Sequence, residues 1–115
     1  MKETDVLDEL IVQRPMMKEA VRRVELERYR QVVTEGFTAE HDAKYHQVEL
    51  ARAAAAYVTP AGWRRVGGNG VPLIWPWPSL WWKPSPQTRA GRLRDLEKAG
   101  ALILAEMERL LAKGE

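Results

Sequence analysis

The sequence has no cysteine, a single phenylalanine and two histidines, and its net charge is only +2. Without cysteine the chain can form neither a disulfide framework nor a thiolate metal site, and it lacks a thiol nucleophile. No run of about 20 apolar residues suggests a membrane span, and the first residues do not resemble a signal peptide. The near-zero charge gives no argument of its own for nucleic-acid binding. These absences lead us to expect a cytoplasmic protein without a bound cofactor.

The apolar periodicity predicts an all-α fold in one domain, residues 1–115, with three to four helices. The predicted helices cover residues 6–14, 16–35, 38–58 and 89–113, with Gly36 as the C-cap of the second. Thr38 caps the central helix, Pro60 ends it, and its alanines predict close packing against a partner helix. On the last helix we expect a buried stripe of Leu93, Leu96, Gly100, Ile103, Met107 and Leu110.

Glycine and proline exclude a helix over most of residues 61–87, so a long Trp/Pro/Gly-rich loop joins the central and last helices. We expect one short extended piece in it, at residues 71–75. All five tryptophans and six Lys/Arg residues lie within residues 61–94, which contain no Asp or Glu. Long loops in compact domains tend to be functional or to cover the core. We therefore expect at least three of the tryptophans to cover the core and the others to be available to a ligand.

Aromatic rings stack on nucleobases and cations neutralise phosphate, so this segment predicts a site for an anionic, ring-bearing ligand. We expect the ring to stack on tryptophan, the phosphates to meet cations, and polar groups of the central helix to bind ribose or base edges. In that order the candidate residues are Trp75, Trp77, Trp81 and Trp82; Lys83, Arg89 and Arg94; and His41, Asp42, Glu49 and Arg52.

A metal site is the alternative reading of the central helix. Asp42, His46 and Glu49 share one predicted helical face, and Glu106 of the last helix could add an oxygen ligand. This arrangement loosely resembles the all-α nucleotide pyrophosphohydrolases, although the chain lacks their repeated E-x-x-E motif. A solvated polar face is the more common origin of such a cluster, so we expect no metal site and no catalytic residue.

Two expectations concern partners. The basic residues do not follow one face of a helix, so we do not expect double-stranded DNA as a partner. Leu26, Tyr29 and Val33 form a second apolar line on the helix 16–35, which indicates either a subunit interface or one intrachain core with two sides. A homo-oligomer is our expectation.

The motifs EGFTAEHD, ELARAAAAY, WPW, WWKP and RDLEKAGALILAEMERL, in this order, resemble a family of small uncharacterised proteins of tailed phages and prophages. Their counterparts there are EGWT-EHD, ELA-AA-Y, WPW, WWKP and ALI-AE-ER, and the resemblance covers about residues 25–111. Phe37 stands where the family has tryptophan, and a glycine-rich insert at residues 66–72 lengthens the loop.

The resemblance implies a phage accessory role in the host cytoplasm. Small phage proteins often counter host immunity, and some sequester nucleotide signals in oligomers. We therefore expect a protein that holds a cyclic dinucleotide or a cyclic ADP-ribose type molecule without turning it over. The alternatives are a metal-dependent enzyme of the nucleotide pyrophosphohydrolase type and a protein–protein inhibitor of a host defence effector.

Overall fold

The computed structural model describes residues 2–36 and 48–113. Within these ranges the chain forms four α-helices and no strand, which confirms the all-α prediction. The helices are α1 (Glu3–Val12), α2 (Pro15–Glu35), α3 (Glu49–Val58) and α4 (Arg89–Ala112), with 3-10 turns at Ala61–Trp63 and Ser79–Trp81. No helix in the described part of the chain is both long and apolar enough to cross a bilayer.

The helix ends follow local sequence signals. Proline fixes its own φ and suits the first turn, and α2 begins at Pro15. The residue before proline avoids the helical region, so α1 ends at Val12 instead of reaching the predicted Arg14. Gly36 has φ 72° and is the C-cap of α2, as predicted. Thr88 caps α4, because its hydroxyl accepts a hydrogen bond of 3.0 Å from the Gly91 backbone N–H.

The described part of the predicted central helix is α3. Val48 has φ −101° and ψ 25° and stands at the N-cap, so the helix begins at Glu49 and ends at Val58, two residues before Pro60. Residues 38–47 of the prediction lie outside the described residues. The predicted continuous helix 38–58 is therefore confirmed over Glu49–Val58 and wrong at Val48, which is not helical.

Small residues form the contact between α3 and α4. The buried core comprises Leu50, Ala53, Ala54, Ala56 and Tyr57 of α3, Ala99, Leu102 and Ala105 of α4, and Trp75 of the loop. Alanine lets two helix backbones approach closely, so small residues of α4 face α3. The predicted buried stripe of α4 is wrong for four of its five large members, because Leu96, Ile103, Met107 and Leu110 are 37–52% exposed, whereas Leu93 is half-buried. Their bulk does not fit against an alanine-lined partner.

Helix α2 crosses α4 at Gly100, where the lack of a side chain allows the crossing. A Cβ on Gly100 would lie 2.9 Å from Cγ1 of Val24. One ion pair lies on each side of this point: Arg23 NH1 to Glu97 Oε2 at 3.3 Å, and Arg28 Nε to Glu108 Oε1 at 2.8 Å. The crossing therefore places one face of α2 against the face of α4 that carries Arg94.

Two arginines of the cationic segment, Arg64 of the loop and Arg92 of α4, bind the end of α3. Arg64 Nε donates to the Ala56 carbonyl at 2.9 Å, and Arg92 NH2 donates to the Val58 carbonyl at 2.7 Å. The last carbonyls of a helix have no intrahelical donor, and they carry partial negative charge that favours a cation. Arg64 also pairs with Asp95 of α4 at 3.2 Å, and both side chains are buried. These two cations are therefore structural.

The predicted extended piece at residues 71–75 is wrong. The loop holds only an isolated antiparallel bridge between Val66 and Pro72, closed by a turn in which Gly70 has φ 78°. Proline has no N–H to continue a ladder, so the pairing cannot propagate through Pro72. The rest of the loop is held by side chains instead.

Candidate ligand-binding site

An aromatic cluster fastens the second half of the loop to α3. The ring of Tyr57 lies 4.6 Å from Trp82 and 5.6 Å, edge to face, from Trp75, between ring centroids. Trp75 also contacts Trp82 at 5.1 Å and Trp77 at 5.4 Å. Edge-to-face and tilted pairs at these distances are favourable beyond their burial. The cluster therefore fixes the path of residues 75–82 over the helices.

Backbone contacts complete this arrangement. The Trp75 indole N–H donates to the Pro78 carbonyl at 3.2 Å, and the Lys83 backbone N–H donates to the Tyr57 hydroxyl at 3.2 Å. Because burial disfavours the phenolate, the pKa of Tyr57 is raised above its ordinary value. The phenol therefore stays neutral, and its hydroxyl fixes the position of Lys83, the residue after Trp82.

A cavity of about 530 Å³ lies between α2, the aromatic cluster and α4. One wall is aromatic and consists of Tyr57, Trp75, Trp77 and Trp81. The charged lining consists of Glu27, Arg30, Glu35, Lys83, Arg94 and Lys98, with Gln31 and Leu102 also lining the space. The volume falls within the range of roughly 300–1,000 Å³ typical of small-molecule sites. Rings and cations thus share one concave surface.

The carboxylate of Glu27 binds two of the cations that line the cavity. Arg30 donates to it from Nε and NH2, both at 2.8 Å, and Arg94 NH1 donates to it at 2.6 Å. Burial alone would raise the pKa of Glu27, but the hydrogen bonds from Arg30 and Arg94 outweigh it and lower the pKa below the ordinary value. Glu27 is therefore ionised, and it partly neutralises two of the four cations.

The two lysines are less compensated. Lys98 Nζ donates to the Lys83 carbonyl at 2.7 Å and lies 5.3 Å from the centre of the Tyr57 ring. Burial and the neighbouring Arg94 lower the pKa of Lys98, because both disfavour its charge. Among the described residues neither Lys83 nor Lys98 forms an ion pair. An anion entering the cavity would relieve the unfavourable environment of Lys98.

A buried amide lies among these charges. The Gln31 side chain is buried on α2, and its Oε1 has no hydrogen-bond partner within residues 2–36 and 48–113. An unmade buried hydrogen bond costs about 1–3 kcal/mol. Because the oxygen itself is buried, this is a cost to the fold and not an acceptor that the cavity offers to a ligand.

Five of the residues predicted from the sequence line the cavity: Trp75, Trp77, Trp81, Lys83 and Arg94. The predicted core-covering role also holds for three tryptophans, because Trp75 is buried and Trp77 and Trp82 pack on the core. Trp82 does not line the cavity. Its ring lies between Tyr57 and the Arg64 guanidinium, which is 5.0 Å from the centre of the Trp82 ring. It is a structural member of the cluster.

The remaining predicted residues do not line the cavity. Arg89 precedes Arg94 by five helical positions, which places it about 140° around the helix. Arg52 donates to the Ile74 carbonyl at 2.9 Å on another side of α3, where Glu49 begins the helix. His41 and Asp42, like His46 of the metal hypothesis, lie outside the described residues. No cluster of three or more potential metal ligands occurs in the described part of the chain.

Sequence reasoning missed the contribution of α2. Glu27, Arg30 and Gln31 recur at the spacing of one helical face, which could have been noticed, but nothing in the sequence connected that face to the loop. Lys98 follows Arg94 by four positions and so shares its face of α4, which was a usable signal. Comparisons of the chain with protein-family models, curated proteins and solved structures gave no match.

Proposed function

We propose that this protein binds a nucleotide-derived small molecule in the cavity and sequesters it without converting it. One observation carries the proposal: three indoles, a phenol and four cations line a single space. Two carboxylates also line the space, which leaves an excess of two positive charges. A flat ring that carries phosphate is the ligand class that matches both walls.

In this proposal the base stacks on the outer indoles. Trp81 is half-exposed and lies 6.4 Å from Trp77, centroid to centroid, so ring surface remains accessible at the cavity. Stacking on an aromatic side chain contributes about 1–3 kcal/mol per base and tolerates different bases. The phosphates lie against Lys83 and Lys98, and Arg94 contributes a further donor.

The resemblance to small phage proteins suggests which molecules to test. We propose a host immune signal, of the cyclic dinucleotide or cyclic ADP-ribose type, bound in the host cytoplasm as an anti-defence function. Sequestration requires binding alone, and the cavity walls consist of stacking and charge-neutralising groups. The metal-dependent enzyme remains an alternative, since Asp42 and His46 lie outside the described residues, and so does inhibition of a host effector by direct contact.

We also propose that the protein acts as a homo-oligomer. Leu26, Tyr29 and Val33, the second apolar line of α2, are 50%, 58% and 83% exposed in the single chain. Side chains of this size on one helical face are typical of a surface that contacts another subunit.

The decisive experiment incubates the protein with a panel of cyclic dinucleotides, cyclic ADP-ribose isomers and nucleoside triphosphates. Bound and free fractions are separated, the protein is denatured, and the released molecule is identified by chromatography. We expect one class of nucleotide to be retained and recovered intact. Product formation that depends on a divalent metal would establish the enzyme instead, and no retention of any molecule would leave direct inhibition of a protein.

Matched variants connect binding to the cavity. Trp81→Ala removes a stacking surface and should weaken binding of the retained nucleotide about 5- to 150-fold, the equivalent of about 1–3 kcal/mol. Trp63→Ala is the control, because Trp63 is 81% exposed and lies away from this cavity. Lys83→Gln should weaken binding more at low salt than at high salt, whereas Lys113→Gln at the end of α4 should not. Equal effects of each variant and its control would contradict the proposed site.

A further inference from the structure

The two carboxylates that line the cavity differ in how far their oxygens are already used. Glu27 accepts three short hydrogen bonds from Arg30 and Arg94, and its side chain is 2% exposed. Glu35 is the last residue of α2, and its side chain is 36% exposed. Within the described residues its one ion pair is with Arg30 NH2, at 3.5 Å. Because a carboxylate has about four acceptor positions, Glu35 keeps free acceptor capacity in the cavity.

Structural roles do not account for the carboxylate of Glu35. Arg30 already donates two hydrogen bonds of 2.8 Å to Glu27, and good hydrogen bonds of this type do not exceed about 3.2 Å. The hydrogen bond to Glu27 is accordingly the largest cause that raises the pKa of Arg30, and the charge of Glu35 adds a smaller contribution. A negative charge at the C-terminal end of a helix is also unfavourable, because the last carbonyls carry partial negative charge. Glu35 therefore stabilises neither α2 nor Arg30 to any large extent.

The carboxylate of Glu35 lies within electrostatic range of the aromatic lining. Burial is the main cause that raises the pKa of Tyr57, and the negative charges of Asp95 and Glu35 raise it further. Interactions between charges decline with distance, and salt screens them over about 8–10 Å. Glu35 and the ring of Tyr57 also line the same cavity as the three indoles. A base stacked on one of these rings would therefore share its space with the Glu35 carboxylate.

The nucleobases differ in what their Watson–Crick edges offer to a carboxylate. Guanine carries two adjacent donors, the ring N–H and the amino group, which match the two oxygens of one carboxylate. Adenine and cytosine carry one amino donor beside an acceptor nitrogen, and uracil carries one N–H between two carbonyls. Each of these three therefore places an acceptor against the negative charge. Bidentate, charge-assisted hydrogen bonds combine strength with geometric selectivity, so a free carboxylate favours guanine.

We propose that Glu35 selects guanine, because its two oxygens accept the two donors of the guanine Watson–Crick edge. The phosphates then lie against Lys83 and Lys98. This inference rests on the proposed function, since it names the base of the nucleotide bound in the same cavity. Stacking supplies affinity for any base, whereas Glu35 supplies the difference in affinity between bases. The ligand is accordingly a guanine nucleotide, linear or cyclic.

Calorimetric titration of the full chain with GDP, IDP and ADP tests the proposal. IDP keeps the ring N–H of guanine but lacks the amino group. We expect GDP to bind about 10- to 150-fold more tightly than ADP, with IDP between them, which is the range for hydrogen bonds to a charged group. Glu35→Ala should abolish this preference by weakening GDP and should not weaken ADP. Glu25→Ala is the matched control, because Glu25 is exposed on α2 and does not line the cavity.

Glu35→Gln gives a readout that a purely structural role would not change. Its amide offers one acceptor and one donor, the pair that matches adenine, so the variant should bind ADP more tightly and GDP less tightly than the wild type. Urea denaturation of both Glu35 variants checks that they remain folded.

The outcomes separate this inference from the proposed function. Equal binding of GDP and ADP by the wild type, or a GDP preference that survives both Glu35 substitutions, overturns the role of Glu35 and leaves nucleotide binding in place. Failure of all three nucleotides to bind overturns the inference together with the proposed function.

Discussion

Replacing Glu27 by glutamine should change stability and anion binding in opposite directions. The carboxylate accepts three hydrogen bonds from Arg30 and Arg94, at 2.6–2.8 Å, and its side chain is only 2% exposed. Breaking a buried ion pair costs about 3–5 kcal/mol, but these arginines are about one-third exposed, so we expect a loss of about 1–3 kcal/mol in the free energy of unfolding. That loss corresponds to roughly 4–12 °C in Tm.

The same substitution should strengthen the binding of an anion in the cavity. A phosphate about 5 Å from the Glu27 carboxylate would be repelled by about 3 kcal/mol at an effective dielectric constant of 20. Exposure of Arg30 and Arg94 to solvent screens this repulsion, and we expect about 1–2 kcal/mol, or roughly a 5- to 30-fold lower Kd. The Glu27→Gln protein should also regain stability when the anion is added, since the freed guanidiniums then acquire a partner.

The assay combines urea denaturation with calorimetric titration of inorganic pyrophosphate, a probe that carries charge but no ring. Glu19→Gln is the matched control, because Glu19 also binds two arginines but lies on the exposed face of α2. It should leave pyrophosphate binding unchanged. A variant that loses stability without gaining affinity for pyrophosphate would refute the reasoning, because the released cations would then not face the cavity.

Three further predictions concern the scaffold and its acid stability, all measured by urea denaturation. Gly91→Ala should cost about 3 kcal/mol or more, because the new Cβ would lie 1.8 Å from the Pro86 carbonyl oxygen, and a backbone atom cannot turn aside. Gly100→Ala should cost about 1–3 kcal/mol through its clash with Val24, and Val24→Ala in the same chain should recover part of that loss; no recovery would mean that the two sites do not touch. The lowered pKa of Glu27 adds stability above pH 4.5, its ordinary pKa, and this contribution is lost as the pH falls through the lower folded pKa. Stability should therefore fall less steeply below pH 4.5 in Glu27→Gln than in the wild type.

The local signals in the sequence were sufficient to predict where α2 begins and where α2 and α3 end. Pro15, Gly36 and Pro60 mark boundaries because each acts through its own backbone, independently of tertiary contacts. The face of α4 could not be predicted in the same way. The predicted stripe, which begins at Leu93, is as periodic as the buried one, and the choice between them depends on the alanines of α3, which favour small partners.

The residues that line the site could be predicted where a residue type has a single role. The indoles and Lys83 follow each other closely along the chain, so their convergence needed only a folded loop. The roles of the arginines within residues 61–94 could not be distinguished from the sequence. Arg64 and Arg92 donate to carbonyls at the end of α3, whereas Arg94 lines the cavity. The α2 lining depended on a helix crossing between residues far apart in sequence, such as Arg94 and Glu27, which are 67 positions apart, and periodicity within one sequence gives no signal for such a contact.

The two walls of the cavity have different origins along the chain. The three indoles and Lys83 fall within residues 75–83, a single short segment, whereas the other charged lining residues belong to α2 and α4, which also form the scaffold. Because Trp75 also belongs to the core between α3 and α4, whereas Trp81 is half-exposed, a change at Trp81 would alter the lining of the cavity with little effect on the helices. The cavity lining can therefore vary at the exposed positions of this segment while the buried indoles keep the helices together.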